Sequence, residues 1–273
     1  MAPLKKPMIV RRVFADELER ELMLIQSVIF KYPWASMDTE FPGTIFKANK
    51  EIIRLNNPAI NYQYLKSNVD NLNIIQLGLT LSDHEGNLPD FNTPFCYNWE
   101  FNFKDFDIDG DLHDAESIEF LRRQGIDFMK NKEKGIDSRH FALMFWHSGL
   151  INYFRGLTWI TFHSCYDFGF LLKILTQQPL PGDVNSFMEQ LVYHFGDRIF
   201  DIKHTFKCLG LMGGLEKVAK QLNVVRAIGS SHQAGSDSSL TLECFMKLKT
   251  SKVFQCNQSR QMLPALALYG LQF

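Results

Sequence analysis

Between Ile74 and Leu81 the chain runs Ile-Ile-Gln-Leu-Gly-Leu-Thr-Leu. That run is short and apolar, and it reads as a strand buried inside a sheet. Such a strand needs neighbouring strands and cover from other elements. Candidates lie close by. Tyr32 to Phe41 is partly aromatic and bounded by Pro33 and Pro42-Gly43, a second strand. Phe95, Tyr97, Trp99, Phe101 and Phe103 alternate along a third. Thr158 to Phe162 and Arg198 to Ile202 read as two more, and Gly86 marks a turn after Leu81. Helical spacing is expected over Ile9 to Phe30, where Val10, Val13, Phe14, Leu18, Leu22, Ile25 and Ile29 fall three and four apart. It returns over Ser117 to Lys130, His140 to Tyr153, Asp167 to Thr176, Asn185 to Phe195, Gly214 to Leu222 and Ala234 to Lys249. Strands first, then strands alternating with helices, predict one α/β domain over residues 1–273, with a mixed central sheet flanked by helices. No linker or repeat divides it.

Composition removes several alternatives. A chain of 273 residues buries roughly 70–75% of its unfolded surface. Its 24 Phe and 4 Trp exclude a disordered chain. The longest apolar run, Phe141 to Trp146, is far below the ~18 residues of a membrane span, so no membrane partner is expected. Met1 to Pro7 lacks the apolar stretch of a secretory signal. The five cysteines, Cys96, Cys165, Cys208, Cys244 and Cys256, contain no C-x-x-C, and reduced thiols in an intracellular protein are expected. With 29 Lys+Arg against 30 Asp+Glu the net charge is -1, which argues against an electrostatic coat on nucleic acid.

Acids at particular places carry the chemistry. Asp38 and Glu40 are two apart near the end of the Tyr32 strand, so both project to one face. Two carboxylates on a buried face repel and resist desolvation unless protonated or bridged by cations; at an exposed strand end they would simply be solvated. Asp167 follows the Thr158 strand and opens an apolar helix, where an N-cap is the ordinary role. Asp237 stands five residues after His232, about a turn and a half on a helix, which could set an imidazole beside the carboxylates.

Together, Asp-x-Glu on a strand, a middle Asp after a later strand, and His-x4-Asp near the end resemble the DEDD superfamily of 3′-exonucleases, in its His-bearing branch. Met37-Asp-Thr-Glu-Phe-Pro-Gly43, Tyr166-Asp-Phe-Gly169 and His232-Gln-Ala-Gly-Ser-Asp-Ser238 narrow the resemblance to the catalytic deadenylases of the CCR–NOT complex. So do Ile75 to Leu79, Phe101-Asn-Phe103, Gly213-Gly-Leu215 and Leu268-Tyr-Gly-Leu271, so the likeness runs end to end. Cys165, where the family often has a small residue, and Ser239 depart from the pattern, and Lys252 to Pro264 departs more. The resemblance implies an RNase H-like fold and removal of AMP from the 3′ end of messenger poly(A) tails. Two divalent cations, Mg²⁺ or Mn²⁺, would be held by Asp38, Glu40, Asp167 and Asp237, with Asp38 as bridge. His232 would be the general base. Beside these, Phe41 follows Glu40 directly and is a candidate contact to the terminal nucleotide or else a core aromatic, and His163 is a second, weaker substrate candidate. The resemblance implies Asp201 as a supporting acid and not a ligand, and Lys203 and Lys217 could meet phosphate or be solvated side chains. Implied partners are poly(A) RNA, a large helical scaffold subunit and a second deadenylase; the implied location is cytoplasmic and nuclear. A DEDD exonuclease of other substrate preference and an inactive scaffold subunit are the competing readings.

A rival metal motif stands at Asp105-Phe-Asp107-Ile-Asp109-Gly110, with Glu116 at the twelfth position of an EF-hand loop. An EF-hand needs an entering helix, and Phe95 to Phe103 has strand period. Eight acids and one lysine lie between Glu100 and Glu119, a density at which chance matches arise. A solvated acidic loop is expected there.

Overall fold

The computed structural model describes residues 6–49, 51–52, 57–151, 156–250 and 265–271. Among them, β1 (Met8–Val13), β2 (Trp34–Glu40), β3 (Gln76–Ser82), β4 (Cys96–Asn102), β5 (Thr158–Thr161) and β6 (Ile199–Asp201) form one mixed sheet. Its order is β1-β4-β3-β2-β5-β6. β2 is central, antiparallel to β3 and parallel to β5.

The strand that anchors the fold, β3, is buried along its whole length. Leu77, Leu79 and Leu81 enter the main core with Trp99, Phe101 and Phe103 of β4. Helices α1 (Leu18–Val28), α2 (Pro58–Asn71), α5 (Ser138–His147), α6 (Cys165–Thr176) and α7 (Val184–Phe195) close that side. The other face of β3 and β4 is small or polar and carries α10 (Ala234–Thr250). Thr80 Oγ1 lies 2.9 Å from Ser238 Oγ, and Asn98 Nδ2 donates to Gly235 O at 2.6 Å. Gly78 makes this approach possible. A Cβ there would sit 1.8 Å from the carbonyl oxygen of Ala234. Beyond these polar contacts a second core forms around Ile160, Phe206, Val218, Leu242 and Phe245. It joins α10 to α8 (Ile202–Cys208) and α9 (Leu215–Gln221).

Several sequence expectations are corrected. The helix expected over Ile9 to Phe30 begins only at Leu18; its first part is the edge strand β1, parallel to β4. Val10 and Val13 fit either period, and long-range pairing decides. A buried Glu21 then ties strand to helix: it accepts from Arg11 Nε at 2.5 Å and from Trp99 Nε1 at 3.1 Å. The Asp38 strand is therefore second in the chain. The stretch expected as one helix from Ser117 to Lys130 is two, α3 (Ala115–Arg123) and α4 (Phe128–Lys134). They are parted at Gly125, whose φ of +95° ends the first. The Ser138 helix stops at His147, before Gly149 with φ +82°; residues 152–155, at the end of the expected span, lie outside the described residues. So do 251–264, which include Cys256 and the whole of the divergent segment. α2 was not foreseen, although Asn57 caps it from the side chain and Pro58 opens it. Nor was α8, which Asp201 caps. Of the cysteines, Cys165 and Cys244 are buried and free, and Cys96 is half-buried.

The Asp105 loop has no EF-hand geometry. The preceding element is β4, not a helix. Asp105 accepts from the backbone N–H of Ser138 at 3.1 Å and from its hydroxyl. Asp107 pairs with Lys132 Nζ at 2.8 Å, and Glu116 lies in the first turn of α3. These carboxylates answer protein donors rather than one point. Calcium added to millimolar levels to the Asp38→Asn protein should leave its thermal midpoint within about 1 °C, because surface ion pairs of this kind contribute little; differential scanning fluorimetry checks this.

Candidate active site

β2 delivers Asp38 and Glu40 to one face at its C-terminal end, where the ladder with β5 has already stopped at Ser36. The Thr39 N–H on that edge has no strand partner. It donates instead to Asp167 Oδ1 at 2.7 Å, and the Thr39 hydroxyl donates to the same oxygen at 2.6 Å. Asp167 can reach because β5 turns directly into α6. Ser164 is the N-cap of α6, so Asp167, three residues on, points across to β2 and is not a cap. α10 contributes the fourth acid from its first turn. Asp237 Oδ2 accepts the backbone N–H of His232 at 2.9 Å. That bond holds the preceding turn, in which His232 takes a left-handed φ of +59°. His232 Nδ1 then lies 4.0 Å from Glu40 Oε1, and ligand atoms of Glu40, His232 and Asp237 all fall within 4.8 Å of one another.

These five residues line one cleft of about 650 Å³. Phe41 and His163 line it too. The Phe41 ring also stacks on Tyr166 at 5.2 Å and packs on Phe170 at 4.9 Å, so it belongs to the core as well as the cleft. Lys203 is on the cleft wall. Asp201 is not open to a ligand: its oxygens take the backbone N–H groups of His163, Ser164, Lys203 and Tyr269.

The electrostatics favour a cation. Burial first, then the charges of Asp237 and Asp167, push Asp38 and Glu40 well above the usual carboxylate range. Asp38 keeps some surface at the cleft, and burial and the three other acids all act on it in the same direction. Burial raises Asp167 to about 7 against the pull of its Thr39 hydrogen bonds. One guanidinium answers the cluster. Arg226 Nη2 stands 2.6 Å from Asp237 Oδ1, and Arg226 Nε donates to Glu216 Oε1 at 2.7 Å. Neither the Asp38 nor the Glu40 carboxylate accepts a hydrogen bond from any described residue. Four convergent carboxylates with open lone pairs, hard oxygen donors throughout, fit Mg²⁺ or Mn²⁺ and not a thiolate-seeking metal.

Arg226, Thr39 and Phe120 escaped sequence reasoning. Phe120 of α3 meets the His232 ring edge-on at 4.7 Å. Arg226 and Phe120 sit in no motif, and Thr39 is only the variable position between Asp38 and Glu40; each matters only because distant segments meet.

Comparison with known proteins follows the same lines. Residues 13–139 match the model of the CAF1 family ribonucleases. The probable CCR4-associated factor 1 homolog 7 of Arabidopsis thaliana is 47% identical over 88% of this chain and 86% of its own. The poly(A) ribonuclease pop2 of Schizosaccharomyces pombe is 43% identical over 96% of this chain and 75% of its own. The solved structure of S. pombe Pop2p in its Mg²⁺- and Mn²⁺-bound form superposes with a TM-score of 0.84 at 41% identity, covering 96% of this chain and 99% of that one. CAF1 co-crystallised with the yeast NOT1 MIF4G domain gives 0.76 at 30% identity, with 96% of each chain covered.

Proposed function

The chain belongs to the CAF1 family of ribonucleases, and from that premise we propose that it is a 3′→5′ exoribonuclease that shortens messenger poly(A) tails and releases AMP. The observation that carries this reading is the convergence of Asp38, Glu40, Asp167 and Asp237 from β2, α6 and α10 on one cleft, with His232 beside them.

Asp38, Glu40, Asp167 and Asp237 would hold two divalent cations, with Asp38 at the centre of the set. When bound, the ions supply charge stabilisation to the attacking and leaving oxygens of the phosphodiester. The protein's residues do the rest. Thr39 fixes the Asp167 carboxylate by donating to Oδ1 from both its backbone N–H and its hydroxyl. His232 faces the carboxylates through Nδ1 and accepts the proton of the attacking water, while Phe120 holds the ring edge-on. Phe41, on the cleft wall next to Glu40, offers a face to the terminal base.

The resemblance to NOT1-bound CAF1 supports docking on the scaffold subunit of the CCR–NOT complex. The second deadenylase and the division between cytoplasm and nucleus rest on the family resemblance alone. No helix among the described residues is long and apolar enough to cross a membrane. Both cores pack on the same sheet, which supports residues 1–273 as one exonuclease domain.

The test is a 5′-labelled RNA with an A-tail beside one with a mixed 3′ end, in Mg²⁺ or Mn²⁺. Stepwise shortening that halts near the tail boundary is expected. His232→Ala should lower the rate by roughly 10²–10⁴-fold, the ordinary contribution of a general base. Equal attack on both ends would make the protein a general exonuclease. No shortening at any metal concentration would leave a scaffold.

A further inference from the structure

The cleft is acidic, and one lysine stands on its wall. Asp38, Glu40, Asp167, Glu216 and Asp237 line it with Lys203 as the single Lys or Arg among the described lining residues. Lys203 has no carboxylate within ion-pair distance among the described residues. Its Nζ lies 3.1 Å from His163 Nδ1 and over two rings, 4.8 Å from the centre of Tyr269 and 5.5 Å from that of Phe162. Aromatic faces restrain an ammonium without neutralising it.

This arrangement is built. Asp201, almost fully buried, gathers three segments through backbone N–H groups: His163 and Ser164 after β5, Lys203 in α8, and Tyr269 near the end of the described chain. It holds His163 in a left-handed conformation at φ +63°, a strained setting for a residue with a side chain. Enclosure by its neighbours, then the Lys203 ammonium, lower the His163 pKa to about 4, although an edge of the residue stays exposed. The neutral ring can therefore accept from Lys203 at Nδ1. The result is an oriented cation with open valence at a site otherwise lined by acids.

We propose that Lys203, braced by His163, Phe162 and Tyr269, holds the backbone phosphate one nucleotide 5′ of the one being cut. The inference rests on the exonuclease reading above. A 3′-terminal nucleotide carries no phosphate on its 3′ side, so every phosphate other than the scissile one lies 5′ of it. The scissile phosphate belongs at the carboxylates. A cation elsewhere on the same cleft wall fits the next one.

Lys203→Met keeps the stem that packs on the rings and removes the charge. For A-tailed RNA in Mg²⁺ its KM should rise about tenfold or more, as for loss of a charged hydrogen bond, with kcat within about twofold. Lys203→Arg should recover most of the loss. The dinucleotide ApA, which has only the scissile phosphate, should be cut equally by Lys203→Met and wild type, whereas ApApA should show the full defect. Affinity for a labelled A-oligonucleotide in EDTA, read by anisotropy, should fall by a similar factor. Unchanged KM and affinity, or an equal loss on ApA, would overturn the proposal. Wild type that binds the oligonucleotide through Lys203 but cuts nothing would remove the exonuclease reading and keep the subsite. Wild type that cuts without dependence on Lys203 would remove the subsite alone. Wild type that neither binds nor cuts would overturn both.

Discussion

Asp38→Asn should remove RNA shortening, with kcat lowered roughly 10³-fold or more, and should at the same time raise the thermal midpoint of the metal-free protein. The first effect follows from loss of the carboxylate at the centre of the set that would hold the cations, which are worth several kcal/mol to the transition state. The second follows from the same geometry read without metal. Burial and the neighbouring acids raise Asp38, Glu40 and Asp167 above their unfolded values. An acid with a raised folded pKa holds more protons when folded, so stability is lost as pH rises from the unfolded pKa, ~3.9 for Asp and ~4.3 for Glu, through the folded one. For Asp167 that upper limit is about 7. The midpoint in EDTA should therefore fall between about pH 4 and 7, less steeply in Asp38→Asn, and Mn²⁺ should reverse the fall in wild type only. Calorimetry across that range decides the matter. A variant that lost activity and was also less stable in EDTA at pH 7 would show that Asp38 is a structural acid.

Gly78→Ala should be the most damaging single methyl in the protein. The added Cβ would stand 1.8 Å from Ala234 O and 2.6 Å from Gly235 N, both backbone atoms of α10 and neither able to rotate away. Either α10 leaves β3 or the sheet distorts. The cost is about 3 kcal/mol or more, roughly 6–12 °C in thermal midpoint for a chain of this size. Activity should fall further than folding accounts for, since α10 and the turn before it place Asp237 and His232 against Glu40. Gly110→Ala is the control: nothing lies within 4 Å of its Cβ position, and its change should stay within about 0.5 kcal/mol. Urea midpoints and kcat on the same preparations separate the two effects. A Gly78→Ala protein with native stability and rate would mean that the helix is free to stand off.

What could be read from residue order was whatever depends on neighbours along the chain. A short apolar run marked β3 and period-two alternation marked β4, because a strand's length and its two faces are set locally. Asp38 and Glu40 were placed on one face for the same reason. The start of the chain was misread because Val10 and Val13 satisfy both periods, and only pairing with β4, more than eighty residues away, selects the strand. The Asp105 loop matched a metal motif letter by letter, yet Ser138 and Lys132 claim its acids from outside the pattern.

The four carboxylates and His232 were thus legible as a pattern of spaced residues that resembles a known family. Their convergence was not. It depends on the ladder between β2 and β5 ending at Ser36, on Gly78 admitting α10, and on Asp201 drawing three remote segments to one wall. Local order fixes which faces and which chemical groups a segment presents. Which groups meet, and whether a carboxylate is charged or a lysine is set beside an imidazole and aromatic rings, is decided by close packing and by the loss of water between segments distant in sequence.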